Sequence, residues 1–355
     1  MTKIFIIRHA EAEGNIYRRS HGHFNGQVTG KGYLQIEQLR ERFKHEKIDA
    51  VYSSDLSRTL ETAAAISEIH GLRINADERL REVSLGEWED VAWGDIKHNF
   101  PVMSEYFGSD PASWSIDGSE VYENVRKRVK DCVSEIGLIN NSRSVAVFSH
   151  GFAIRAFLCE LMGIPSHKTE LVPYCDNTAV ALLRFENGNF SIEYHGDNSH
   201  LHNGSSTLEN QTWWRDEEER KSEDLRYVQF DEKRDAPILK LCGREVSSKQ
   251  KADLEFTALL DDEPAGIIRI DADGDSGDSA GRISLIYLKP ELRRMNFGVQ
   301  LLGQAVSECR KLRREKLRLE AEAGSLLMGF CEKFGFVKIG DSGSLCILEK
   351  NIRNW

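Results

Sequence analysis

The stretch Ile4-Phe5-Ile6-Ile7-Arg8-His9-Ala10-Glu11 opens on four apolar residues and turns polar at once. A continuous apolar run of that length, with no alternation, predicts a strand buried on both faces, as in a parallel sheet. Ser144 to Phe148, followed by Ser149-His150-Gly151, repeats the pattern, and a helix is expected from there through Met162. Between these two runs, Leu34, Leu39 and Phe43 recur at helical spacing over residues 30–44. Ala50-Val51-Tyr52 predicts a second short strand, with Ser54 or Asp55 as candidate cap for the helix after it. Strands alternating with helices predict an α/β fold with helices on both faces of one sheet. In such sheets chemistry collects at the carboxyl ends of strands. Two of the strands expected here end in a histidine, His9 and His150.

The rest of the chain sets bounds on that reading. At 355 residues it exceeds one ordinary core, so two domains are expected. A formal net charge of −10 disfavours a nucleic-acid binder, which needs an excess of Lys and Arg to displace counterions. The seven cysteines are scattered singly, with no C-x-x-C pair and an odd count, which favours free thiols in a reducing compartment. Four apolar residues before Arg8 are too few for a signal-peptide core, and no run approaches a membrane span. A cytoplasmic protein is expected. Oligomeric state is not specified.

Arg58, at the start of the helix expected after Ala50-Val51-Tyr52, and Glu82 stand between the two histidines. A neutral imidazole nitrogen attacks phosphorus well, guanidinium forks suit phosphate oxygens, and a carboxyl group can protonate a leaving oxygen. Arg8-His9-Ala10-Glu11-Ala12-Glu13-Gly14-Asn15, then Ser53 to Thr59, then Glu82 before Gly86-Glu87-Trp88-Glu89, then Ser149-His150-Gly151 follow one another in chain order. Together they resemble the histidine phosphatase, or phosphoglycerate mutase-like, superfamily over roughly residues 1–200. The resemblance implies a three-layer αβα sandwich and a metal-independent phosphatase. Its phosphohistidine would form on His9, with Arg8, Arg58 and a protonated His150 on the phosphate and Glu82 as acid and base. Asn15 and Gly151 are expected to contact substrate. Arg18 and His21, with Arg19 and His23, either line the substrate entrance or form a basic surface loop. A mutase is the alternative. Gly14, where family mutases commonly carry Trp, and a compact domain favour water as acceptor over a second hydroxyl. The substrate is expected to be a small phosphorylated molecule, with no nucleic acid and no membrane involved. His195, His200 and His202 are too loosely spaced to hold a metal.

Residues 197–224, rich in Asn, Ser, Gly and acidic side chains, break the alternation. They predict a linker, set at 206–222 between domains spanning 1–205 and 223–355, with Trp213 and Trp214 as a docking contact. Beyond it, Ala265–Ile270 and Ile283–Leu288 predict strands around an Asp-rich turn. Asp271, Asp273 and Asp275 mimic a calcium loop, but Ser276 and Arg282 stand where it needs Gly and Glu, so a solvated hairpin is expected. Leu302, Ala305, Val306 and Cys309 mark one face of a helix.

The run from Ile286 and Leu288 through Arg293, Arg294, Asn296, Phe297, Gly298 and Val299 reads as a strand, a turn and a helix start able to cradle a pyrophosphate. With Phe330 to Phe336, it resembles the GNAT acyltransferases over roughly residues 223–350. That implies an α+β domain with a mixed sheet, acetyl-CoA as cofactor and an amine acceptor. Asn296 replaces a family glycine, Gly324 a frequent Asn, and Cys331 the Tyr that protonates the leaving thiolate. Either a bifunctional enzyme or a phosphatase with a non-catalytic acyl-CoA-binding module follows.

Overall fold

In the computed structural model of the chain, the described residues are 1–215, 218, 221–242, 253–271 and 279–354. The first apolar run forms strand β1 (Thr2–Arg8), the centre of a six-stranded sheet. Its partners are β2 (Ala50–Ser53), β3 (Ile74–Ala76), β4 (Ser144–Ser149), β5 (Val180–Glu186) and β6 (Asn189–Asp197), in the order β3-β2-β4-β1-β5-β6. The first four strands in that order run parallel, and β5 and β6 add an antiparallel edge.

Side-chain alternation along β1 divides the layers. Phe5 and Ile7 pack with Leu39 and Phe43 of helix Gly30–Phe43 and with Ile66 of helix Ser57–His70. On the other face the Thr2 hydroxyl donates to the carbonyls of Gly137 and Asn140, at the end of helix Tyr122–Ile139. That helix packs beside Gly151–Met162. The result is an αβα sandwich. Neither Ser54 nor Asp55 caps helix Ser57–His70: Leu56 holds that position with no side-chain cap, and the Asp55 carboxylate pairs with Arg81.

Contacts divide the chain into two units, and the division differs from a single cut at 206–222. The first holds Met1–Ala12, Ser20–Glu89 and Phe100–Arg220, while the second holds Glu13–Arg19, Asp90–Asn99 and Lys221–Trp355. Part of the expected linker is structured on the first unit. Asp176 accepts hydrogen bonds from the amides of Thr207 and Leu208, the Trp214 indole donates to the Leu208 carbonyl, and Trp213 meets Tyr174 edge to face. Residues 216, 217, 219 and 220 of the acidic-to-basic run lie outside the described residues.

In the second unit a seven-stranded mixed sheet has the order β12-β13-β11-β10-β9-β8-β7. The strands are β7 (Arg226–Gln229), β8 (Asp253–Leu260), β9 (Glu263–Asp271), β10 (Ala280–Leu288), β11 (Lys316–Glu322), β12 (Val337–Ser342) and β13 (Leu345–Asn351). Among the described residues only β10 and β11 pair in parallel, joined by helix Phe297–Lys311, whose Leu301, Leu302, Ala305, Val306 and Cys309 enter the core. The loop between β9 and β10, with Asp273, Asp275 and Ser276, lies outside the described residues. Helices Glu13–Tyr17 and Trp93–Asn99 belong to this unit. There Arg310 Nη2 meets Glu13 Oε2 at 2.7 Å, and Arg19 donates to Asp90, Gln304 and Ser307. Such buried charges persist because each is paired.

Candidate active site

Parallel pairing of β1 with β4 brings the two histidine-bearing strand ends side by side. The His9 amide donates to the Ser149 carbonyl at 3.0 Å, and the rings of His9 and His150 lie 5.2 Å apart. His9 Nδ1 lies 2.7 Å from the Ala10 carbonyl oxygen, which can only accept, so the ring hydrogen sits on Nδ1 and Nε2 keeps its lone pair. Burial, then the nearby Arg58 and Arg8, hold the His9 pKa well below its usual range. The imidazole is neutral at pH 7, the form that can attack. Asn177, unmarked by the sequence, steadies this turn by donating from Nδ2 to the His9 carbonyl at 2.9 Å.

Arg58 is 1% exposed on the first turn of its helix. Its Nη2 donates to the Gly22 carbonyl at 2.8 Å and its Nη1 to the Phe24 carbonyl at 2.9 Å. Burial brings its pKa down to about 10, which leaves the guanidinium charged at neutral pH. Arg8 Nη1 donates to the Cys175 carbonyl at 2.5 Å, and its Nε is buried with no partner among the described residues. Gly151 lies close beside it: a Cβ there would fall 3.3 Å from Arg8 Nε. Glu82 caps helix Gly151–Met162: Oε1 accepts from Ala153 N at 2.8 Å and Oε2 from Phe152 N at 3.1 Å. Arg128 fixes the chain before it by donating to the carbonyls of Arg79, Arg81 and Glu82.

The remaining expected residues have the following surroundings. In the site without phosphate, burial, then Arg58 and His9, push the His150 pKa well below the usual range. As a neutral ring it meets Ser54 Oγ through Nε2 at 2.9 Å. Arg18 belongs to the second unit, where its Nε donates to Asp224 Oδ1 at 2.7 Å. Asn15 falls on helix Glu13–Tyr17, also in the second unit. His21 stays in the first unit against the Phe24 ring, close enough for its charge to bear on His9. Of the loosely spaced histidines, His200 is held between Arg42 and Thr178.

A sequence profile of the histidine phosphatase superfamily (branch 1) matches residues 4–198. The chain belongs to that superfamily. Phosphoserine phosphatase 1 of Hydrogenobacter thermophilus is 28% identical over 186 residues, covering 52% of this chain and 88% of that protein. Phosphoglycerate mutase-like protein 4 of Arabidopsis thaliana is 31% identical over 203 residues, covering 56% and 86%. The solved structure of Bacillus stearothermophilus YhfR aligns with a TM-score of 0.55 at 27% identity, covering 57% of this chain and all of that one. Family and relatives identify a phosphoric monoester hydrolase. Among the described residues no helix is long and apolar enough to cross a membrane.

Residues 238–344 match the GNAT acetyltransferase domain, a family that uses acetyl-CoA. The parallel pairing of β10 with β11 stops at Ile283↔Leu319, while β10 runs on to Leu288 against β9 alone. Helix Phe297–Lys311 starts beyond that parting, with Asn296 at φ 64° and no side-chain cap on its first amides. Arg293 and Arg294 are exposed beside it. A helix N-terminus with two cations beside it suits a pyrophosphate. Cys331 does not suit the acid role: it is 0% exposed in the core, and burial pushes its thiol up to about 12.

Proposed function

We propose that the first unit hydrolyses a small phosphomonoester through a phosphohistidine on His9. Nε2 attacks phosphorus in line, the P–O ester bond breaks, and Glu82 gives the leaving oxygen its proton. Glu82 then takes a proton from water, whose oxygen attacks phosphorus as the N–P bond breaks, releasing inorganic phosphate and restoring Nε2. Arg8, Arg58 and His150 donate to the equatorial oxygens, where the transition-state charge lies. The observation that carries this reading is the buried, neutral His9 whose Nδ1 is committed to the Ala10 carbonyl.

Phosphoserine and phosphoglycerates head the substrate candidates, on the names of the relatives. Enzyme incubated with phosphorus-labelled substrate and quenched in alkali should carry a base-stable, acid-labile label that His9→Ala lacks. No label on the wild type, or equal label on His9→Ala, overturns the reading. The mutase alternative draws on the second of those relatives, and 3-phosphoglycerate isomerisation faster than phosphate release would favour it.

For the second unit, the backbone of Ile286 and Leu288, Arg293, Arg294 and the helix start Asn296–Val299 would hold acetyl-CoA. When bound, that cofactor supplies an activated thioester acyl group, for which an amine is the expected acceptor. The buried Cys331 favours binding without efficient transfer. Calorimetry with acetyl-CoA tests this: no heat at millimolar ligand retires the cofactor, and turnover with an amine panel would restore the bifunctional reading.

A further inference from the structure

The sequence singled out Gly86-Glu87-Trp88-Glu89, and the phosphatase mechanism uses none of these residues. Glu89 nonetheless accepts four backbone hydrogen bonds around the Arg58 loop. Its Oε2 accepts from Gly22 N at 3.1 Å and Phe24 N at 2.9 Å, and its Oε1 from His23 N at 2.8 Å and Leu85 N at 3.0 Å. Three successive amides of one loop thus end on a single carboxylate. The carbonyls of the same loop, from Gly22 and Phe24, receive the two ends of Arg58. The loop is therefore held between an anion on its N–H side and a cation on its C=O side. The approach is so close that a Cβ on Gly22 would lie 2.4 Å from Glu89 Oε1 and 2.3 Å from the Val83 carbonyl oxygen. Glu89 also favours the charged form of Arg58 through space.

We propose that Glu89 is a positioning residue for phosphoryl transfer, acting through the 22–24 loop to fix the Arg58 guanidinium that receives the phosphate oxygens. This rests on the phosphatase reading. Arg58 alone does not define its own place, since a long side chain donating to two loop carbonyls moves wherever the loop moves. The carboxylate fixes the loop, because both of its oxygens are satisfied by amides from residues 22–24. A displacement near 1 Å at a charge-stabilising group costs on the order of a hundredfold in rate.

Glu89→Gln is the informative change, since one oxygen becomes an NH2 group facing two N–H donors. Full-length protein is assayed for kcat and KM with phosphoserine, and for orthovanadate and inorganic phosphate binding by calorimetry. The expected result is a fall in kcat/KM of roughly 10- to 100-fold, carried mainly by kcat, with vanadate weakened by a similar factor and phosphate by less. In an Arg58→Ala background the same substitution should cost less than about twofold, since its route of action is gone. Gly22→Ala, which pushes the loop off the carboxylate from the other side, should reproduce the phenotype if Glu89→Gln does not fold. Unchanged vanadate affinity in a folded Glu89→Gln or Gly22→Ala protein overturns the proposal. So does an equal loss with and without Arg58, which would mark a purely structural carboxylate. A wild type that binds vanadate but carries no phosphohistidine would instead overturn the reaction assigned to His9, leaving the placement of Arg58 still measured by vanadate.

Discussion

The imidazole rings of His9 and His150 lie 5.2 Å apart, both are buried, and each is held neutral partly by Arg58. An arginine beside two histidines makes a second positive charge unfavourable at either ring. The site therefore presents its positive charge on guanidinium groups and keeps its nucleophile unprotonated.

That pairing fixes a pH dependence. Both folded-state pKa values lie below the unfolded value of about 6.5, so as pH falls through that value the unfolded chain takes up protons that the fold refuses. Stability is complete above about pH 7 and declines below about 6.5, by up to about 1.4 kcal/mol per pH unit for each histidine. His200, pushed down to about 4 by burial and Arg42, adds to the same slope. Urea midpoints taken from pH 8 to pH 5 should be flat and then fall, with a shallower fall in His150→Asn. In kcat/KM the acid limb should lie well below pH 6.5. A midpoint that rises on acidification contradicts the assignment.

Arg128 offers a prediction about the acid. It donates to the carbonyls of Arg79, Arg81 and Glu82 while paired with Glu120, so it fixes the chain that carries the Glu82 carboxyl. Arg128→Met keeps much of the stem and removes every donor. Unfolding free energy should fall by about 2 kcal/mol, since three carbonyls and one carboxylate lose their partner. At temperatures where the variant is folded, kcat should fall about tenfold with little change in KM. Equal kcat in the folded variant would show that the helix amides of Phe152 and Ala153 suffice to place Glu82.

His9, Arg58 and His150 could be read from the sequence because each sits at a strand end or helix start that local patterning reveals, whereas Glu82 lies in an irregular segment and is marked by Gly86-Glu87-Trp88-Glu89 after it. Asn177 could not, since it acts on a backbone group 168 residues away and backbone partners leave no trace in residue type; Glu89 stands in a quoted motif, but its hold on amides 65 to 67 residues away does not show there. The protonation of the His150 ring was not legible for a related reason: its residue type permits a charge, but only the fold reveals that Arg58 and burial oppose one in the site without phosphate. Helices Glu13–Tyr17 and Trp93–Asn99 carry no compositional break from their neighbours. Their place in the second unit depends on long-range pairs such as Glu13 with Arg310 and Asp95 with the Tyr227 amide.

Cys331 stands where a proton donor would be needed, yet it is fully buried with its thiol pushed up to about 12. A thiol reagent at pH 8 should leave it unmodified in the native protein and label it only after unfolding, as mass mapping would reveal. Cys331→Ala should leave acetyl-CoA affinity within about twofold and cost about 1 kcal/mol of stability through the lost packing. Rapid native labelling of Cys331 would return it to the list of candidate acids.

Asn296 occupies the turn before helix Phe297–Lys311 at φ 64° and ψ 7°, the left-handed region where glycine is unstrained and Asn tolerated. The position follows Arg294, also at φ 64°, so two left-handed residues in three turn the chain into the helix. A β-branched side chain at Asn296 meets a penalty of about 1–2 kcal/mol. Asn296→Val should lower the melting temperature and, by tilting the first helix amides away from an incoming pyrophosphate, weaken acetyl-CoA at least tenfold. Asn296→Gly keeps the turn and removes the side chain, so its melting temperature should match the wild type and its acetyl-CoA affinity should equal or exceed it. Calorimetry on the three proteins separates the cases. If Val binds as tightly as Asn while stability falls, the turn supports the fold alone and the pyrophosphate rests on Arg293 and Arg294.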